Sequence, residues 1–176
     1  MSQSTTLTLE KTVARDVLLV LLASFAICLS GHIAIPLWFS PVPLATQNSV
    51  VLLLAAFLGS RRAFAATFLF LAQGAIGMPV FSTATGLFGP TAGYLIGYLF
   101  ASFIVGYIAE RNKTLANAFL AMTVGNLVIY LCGASYLSTF VGFSKAFFVG
   151  VVPFVLGDLL KTLASLHILA WARWNK

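Results

Sequence analysis

Residues 153–173 read PFVLGDLLKTLASLHILAWAR, an apolar helix in which Asp158 and Lys161 stand where lipid-buried helices almost never carry charge. Of the fourteen Asp, Glu, Lys and Arg residues in the chain, these two alone fall inside an apolar span. Side chains three apart leave a helix on one face, so Phe154, Asp158, Lys161 and Ser165 form one stripe, with Leu159, Leu163 and Leu166 to its side. Intramembrane charge costs about 2.5–3.5 kcal/mol per residue on insertion scales. An ion pair that merely neutralised itself would often be improved upon by apolar residues. The preferred reading is a polar site inside a bundle, with Asp158 accepting hydrogen bonds from a small polar ligand and Lys161 donating to it.

The rest of the chain supports a membrane setting. Hydrophobic residues make up 60% of it and charged residues 8%, against about 45–50% and about 25% in soluble proteins. At about 20 residues per spanning helix, 176 residues hold six short helices and brief loops, with no separate soluble domain. The expected architecture is an all-α integral membrane protein: a loose polar tail over residues 1–12 and a single membrane domain of six transmembrane helices over 13–176. The formal charge of +6 is not a basic stripe interleaved with aromatics, which argues against nucleic acid. The basic residues sit in small groups at span ends, as topology signals do. Cys28 and Cys132 lack CxxC or Cys/His spacing and read as small buried core residues. His32 and His167 read as interfacial. No cleavable signal pattern precedes Val17, so the first span is expected to be retained.

The spans are expected at about Val13–Ile33, beginning with Arg15 and Asp16 at the interface, and at Gln47–Leu58, Ala63–Ile76, Thr91–Ala109, Leu115–Tyr136 and Pro153–Arg173, the last closing at Arg173. Pro36, Pro41 and Pro43 forbid a regular helix between the first two. The second span has only 12 residues, about 18 Å, against a hydrocarbon core of about 30 Å, so the proline segment must sit partly at membrane depth. Residues 59–62 are expected to form a tight basic turn, and Thr139–Val149 a loop carrying Lys145. Gly93, Gly97 and Ala101 recur every four residues, a stripe read as close packing within the molecule rather than dimerisation. Asn126, alone in its span, is expected to make an interhelical hydrogen bond.

Lys11, Arg15, Arg61, Arg62, Arg111, Lys113, Arg173 and Lys176 fall on one side, and the three other connections hold only Lys145. By the positive-inside rule both termini are cytoplasmic. The sequon at Asn112-Lys113-Thr114 then lies on the cytoplasmic side and is discounted. This orientation places Asp158 about 13 Å below the outer end of its span. It also gathers Gln47 and the hydroxyls of Ser82, Thr83, Thr85 and Thr91 on the outer side. Gly89 and Pro90 start the fourth helix, whose amide donors and positive dipole end could take a ligand carboxylate; an ordinary helix start is the alternative. Pro153 removes a hydrogen bond to the Val149 carbonyl and, flanked by Gly150 and Gly157, leaves accessible backbone above Asp158.

Four ordered stretches, Pro41-Val-Pro-Leu-Ala-Thr-Gln47, Gly77-Met-Pro-Val-Phe81, Gly89-Pro-Thr-Ala-Gly-Tyr94 and Gly157-Asp-Leu-Leu-Lys161, resemble the BioY family, the biotin-binding S components of energy-coupling factor transporters. The resemblance runs from the first span to the sixth. It implies an S-component-like bundle in a bacterial plasma membrane, with biotin as ligand and no cofactor. The implied partners are a transmembrane coupling protein and ATPases that hydrolyse ATP. It also implies that Asp158 and Lys161 hold the ureido head of biotin, with Gln47 and the Gly89–Tyr94 segment, Thr91 and Tyr94 included, at pocket-forming positions; Thr85 and Gly86 of the uncharged connection complete the expected ligand-binding set. Two departures stand out: only Ser82 to Phe88 separate the PVF and GPT motifs, with no asparagine there, and Leu95 stands where some relatives have arginine. The carboxylate end is left to hydroxyls, to amides of the fourth span or to Lys145. The first span shows no AxxxA, and Ser24 with Cys28 or Ala26 with Ser30 are the nearest small pairs for docking a partner.

Three function classes compete. No G-x-x-x-x-G-K-[ST] occurs, so a substrate-binding subunit would take its energy from partners. A self-sufficient or proton-coupled carrier for biotin or another small vitamin is the alternative, but the halves show no repeated GPTAGY or GDLLK. An enzyme is disfavoured, because HExxH, GxSxG and Cys/His/acid clusters are lacking.

Overall fold

The computed structural model describes the backbone of residues 2–174 and the side chains of residues 12–172. Helix α1 (Ser2–Gly31) leads into a two-residue antiparallel pairing of β1 (Ala34–Ile35) with β2 (Leu44–Ala45), in the register Ala34 to Ala45 and Ile35 to Leu44. Then come α2 (Gln47–Leu58), α3 (Ser60–Ala75), a 3-10 turn at Gly86–Phe88, α4 (Ala92–Arg111) and α5 (Leu115–Val141). Helices α6 (Phe143–Gly150) and α7 (Val152–Trp174) share one apolar stretch broken at Val151. Counting that stretch once gives six helices. Among the described residues four are long and apolar enough to cross a membrane, and α2 is a shorter apolar helix.

Apolar side chains such as Ile27, Leu52, Phe70 and Met122 fill the core, but polar ones share it and large apolar ones also cover the outside. Ser24, Gln47, Ser102 and Thr67 are fully enclosed, and Asn48, Asn126, Asp158, Thr162 and Ser165 are buried. Leu22, Phe25 and Leu29 of α1, Phe100 of α4, Leu131 of α5 and Leu156 and Leu160 of α7 point outward. Lipid is as apolar as leucine, so the interior is chosen by packing and hydrogen bonding. On α7, Phe154, Asp158 and Ser165 are buried as the stripe requires, while Leu159 and Leu163 lie open beside it.

The stripe on α4 is consumed inside the molecule. A Cβ on Gly93 would lie 2.6 Å from the Cys132 carbonyl and 3.2 Å from Gly133 Cα, and one on Gly97 would lie 3.0 Å from Ile129 Cα. These are contacts with α5, the most extensive pairing in the bundle. At the far end of α4, Glu110 Oε1 accepts from the Ser60 amide at 3.0 Å and Oε2 from the Ser60 hydroxyl at 3.0 Å. A carboxylate from one helix thus caps the start of another. Nearby, Arg62 pairs with Asp16 at 2.8 Å. Arg61, Arg62, Glu110 and Lys113 therefore share one end of the bundle with the α2–α3 turn.

Several local expectations are corrected. The segment expected to be a loose tail is helical from Ser2, because no Gly or Pro precedes the apolar run and helix propagates readily once nucleated. Met1 and Lys176 lie outside the described residues, as do the side chains of Lys11 and Arg173. The turn before α3 is Gly59 alone, at φ 83°, and Ser60 to Arg62 are already helical. The expected loop over Thr139–Val149 is helical except at Gly142, φ 84°. Lys145 suggested a loop, yet α6 exposes Phe143, Phe147 and Phe148, and backbone at membrane depth must hydrogen-bond to itself. Cys28 is buried, whereas Cys132 is half-buried; both are free thiols. Ser24 and Cys28 both donate to Gln73 Oε1 of α3, at 3.2 and 3.1 Å, so this small pair faces inward and not toward a partner. Asn112 and Thr114 organise the start of α5: the Thr114 amide donates to Asn112 Oδ1 and the Asn117 amide to Thr114 Oγ1.

Candidate functional site

The cavity is built where the α6–α7 break meets the hairpin. Pro153 has no amide proton to give the Val149 carbonyl; Ser40 Oγ, from the β1–β2 hairpin, donates to it at 2.7 Å. The neighbouring Gly150 carbonyl accepts from Tyr94 OH of α4 at 2.8 Å. Backbone opened inside a membrane is thus satisfied from two other elements. Because α7 begins at Val152, Asp158 lies six residues, about 9 Å, into it.

Asp158 is 5% exposed and holds three donors. Lys161 Nζ reaches Oδ1 at 2.9 Å, and Tyr130 OH and Asn48 Nδ2 reach Oδ2 at 2.5 and 3.0 Å. Lys161 Nζ also donates to the Ala45 carbonyl of β2 at 2.9 Å, which leaves one of its three protons for a ligand. Behind them the network runs on: Asn48 Nδ2 also donates to Asn126 Oδ1 at 2.9 Å, and Asn126 Nδ2 to Thr162 Oγ1 at 3.2 Å. Asn126 therefore does link helices, joining α2, α5 and α7. Neither charge is left uncompensated, which answers the cost of placing them there.

These groups are the polar patch of a largely apolar cavity of about 40 Å³, lined also by Val42, Pro43, Ser82, Thr91, Tyr94, Leu95, Tyr98, Ile129 and Phe154. Four expected residues, Asp158, Lys161, Thr91 and Tyr94, reach its wall. Thr91 Oγ1 lies 3.0 Å from Thr83 Oγ1, and the Tyr94 hydroxyl is spent on Gly150, so Tyr94 offers its ring.

Three expected residues do not reach the wall. Gln47 is enclosed on the other side of α2, where Nε2 donates to the carbonyls of Ile27 and Val80, both at 3.1 Å; its next neighbour Asn48 faces the cavity instead. Thr85 is exposed, beside Gly89, and Gly86 at φ 47° sits against the Phe81 ring. At the start of α4, the Ala92 amide donates to the Gly89 carbonyl and those of Tyr94 and Leu95 to the Thr91 carbonyl. Most of the amides expected to face a carboxylate are thus committed within the turn. Lys145 is exposed on α6 and absent from the wall. The sequence reading missed Tyr130 and Asn48. Tyr130 follows Asn126 by four residues, one helical turn, and that spacing was the available signal.

The BioY family model matches residues 1–175. The chain belongs to the BioY family. The biotin transporter BioY of Rhizobium etli is 36% identical over 164 residues, covering 85% of this chain and 87% of the relative. BioY of Thermotoga maritima is 36% identical over 144 residues, 79% and 84% of the two chains. A crystal structure of the S-component for biotin from an ECF-type ABC transporter superposes with a TM-score of 0.83, covering 93% of each chain at 23% identity. The shared fold extends over nearly the whole of this chain. Leu95, the position singled out in the sequence, is 4% exposed in the cavity wall, which is apolar at that point.

Proposed function

We propose that this chain is the substrate-binding membrane subunit for high-affinity biotin uptake, working with a transmembrane coupling protein and ATPases of an ECF-type importer. The observation that carries the reading is the Asp158–Lys161 pair facing a cavity with one ammonium proton and one carboxylate lone pair uncommitted. A cyclic urea offers what these groups need: N–H donors for a carboxylate and a carbonyl acceptor for an ammonium. Tyr94, Tyr98, Phe154 and Ile129 supply apolar surface for the rest of the ligand, and Ser82 and Thr91 supply hydroxyls toward its carboxylate. Biotin carries no reaction here and no cofactor is required; ATP is hydrolysed by the partners. The site lies toward the outside of a bacterial plasma membrane, beneath the hairpin and the 77–90 connection, with both termini cytoplasmic.

A cavity of about 40 Å³ is far below the roughly 300–1,000 Å³ of small-molecule pockets, so ligand access requires the hairpin and the 77–90 connection to give way. Saturable binding of biotin at one site per chain, followed by calorimetry in detergent, tests the reading. Asp158→Ala and Lys161→Ala are each expected to weaken it by at least about tenfold, about 1.4 kcal/mol, in a chain that still melts cooperatively. Wild-type affinity in both variants would remove these residues from the site. Uptake that survives inactivation of the partner ATPases would point instead to a self-sufficient carrier.

A further inference from the structure

We propose that Asn48 Oδ1 is the second acceptor of the site and selects ligands that carry two N–H groups on one ring. The inference rests on the biotin reading above and adds a specificity residue to it.

A carboxylate offers about four lone-pair sites. Three on Asp158 are occupied, by Lys161 on Oδ1 and by Tyr130 and Asn48 on Oδ2. One position, on Oδ1, is left for a ligand donor. A ureido ring brings two N–H groups, and a buried donor left unpaired costs about 1–3 kcal/mol. A second acceptor is therefore needed in the same wall.

Asn48 supplies it. The residue lines the cavity beside Asp158 and is 7% exposed. Its orientation is fixed by chemistry: the amide atom 3.0 Å from Asp158 Oδ2 must be the donor, because an ionised carboxylate only accepts. Both Nδ2 protons are spent, on Asp158 and on Asn126. Among the described residues Asn48 Oδ1 has no hydrogen-bond partner and is buried, a standing cost that a ligand N–H removes. Asn126 and Thr162 hold the amide from behind, so the acceptor is preorganised.

The test is calorimetric binding of three probes, biotin and the two isomers methylated on one or the other ureido nitrogen, to the wild-type chain and to Asn48→Ala. Wild type is expected to bind both isomers more weakly than biotin. Asn48→Ala is expected to weaken biotin about tenfold, to weaken the isomer methylated on the nitrogen facing Asp158 by the same factor, and to leave the other isomer unchanged or tighter. An equal loss on all three probes would overturn the assignment, since Asn48 would then act only by holding Asp158. If the variant does not fold, the wild-type chain decides: either isomer bound as tightly as biotin overturns it. Failure of the wild-type chain to bind biotin is a different result, which overturns the ligand reading and this one with it.

Discussion

Tyr130 of α5 donates its hydroxyl proton to Asp158 Oδ2 of α7 across 2.5 Å. Two helices are thereby tied through the one acid of the site, and the phenol ring forms part of the cavity wall. Hydrogen bonds to a charged group contribute about 1.5–3 kcal/mol. Tyr130→Phe keeps the ring and removes the bond, so ligand-free protein is expected to lose about that much stability. The melting midpoint in detergent reads it; an unchanged midpoint would show that the bond contributes nothing to the folded state.

Gly93→Val is expected to destabilise the bundle by at least about 1–3 kcal/mol, because its side chain would meet the Cys132 carbonyl at 2.6 Å. The oligomeric state is expected to stay as in wild type. Size-exclusion chromatography beside a thermal melt separates the outcomes: a changed association state at constant midpoint would mean that the glycine stripe faces another chain.

Ser40→Ala releases the hairpin from the Val149 carbonyl at a cost of about 1 kcal/mol. Since the hairpin carries Val42, Pro43 and Ala45 of the cavity wall, biotin is expected to associate faster with the variant. Trp38, exposed on the same hairpin, reports it by stopped-flow fluorescence. Equal association rates would show that this bond does not hold the cavity shut.

A cysteine replacing Lys145 is expected to react with an impermeant thiol reagent added outside intact cells, and one replacing Arg62 is not. The native thiols, Cys28 and Cys132, are first replaced by alanine or serine. Reversed labelling would invert the orientation inferred from charge.

The part of the site legible in the sequence was the part that violated a rule. Charge inside an apolar run exposed Asp158 and Lys161, because lipid tolerates it only with a partner. Tyr130 violated nothing: a tyrosine on an apolar helix is as ordinary facing lipid as facing a cavity, and only its helical spacing from Asn126 marked it. Gln47 and Asn48 are adjacent amides about 100° apart around α2, so choosing between them required the helix's rotation, which is set by packing against α4 and α7. The span pattern was legible wherever Gly or Pro punctuated it. It failed at α6, where lysine suggested water although the surrounding phenylalanines face outward. The placement of Thr85 and Gly86 depends on Phe81 packing beneath the 3-10 turn, a tertiary contact that local sequence does not encode.

The clamp between α3 and α4 constrains how this sequence can drift. Gly59 has φ 83° and leaves no room for a side chain beside the Glu110 carboxylate; a Cβ on Gly106 would press on Ser60 Cα at 2.5 Å. Glu110 in turn is positioned by the Ser60 amide and hydroxyl. Replacement of any one of Gly59, Ser60, Gly106 and Glu110 withdraws the reason for the other three. Across descendants of this chain the four should be inherited or exchanged as a group, and an alignment deep enough to measure covariation should show them as one block, separate from the residues around Asp158.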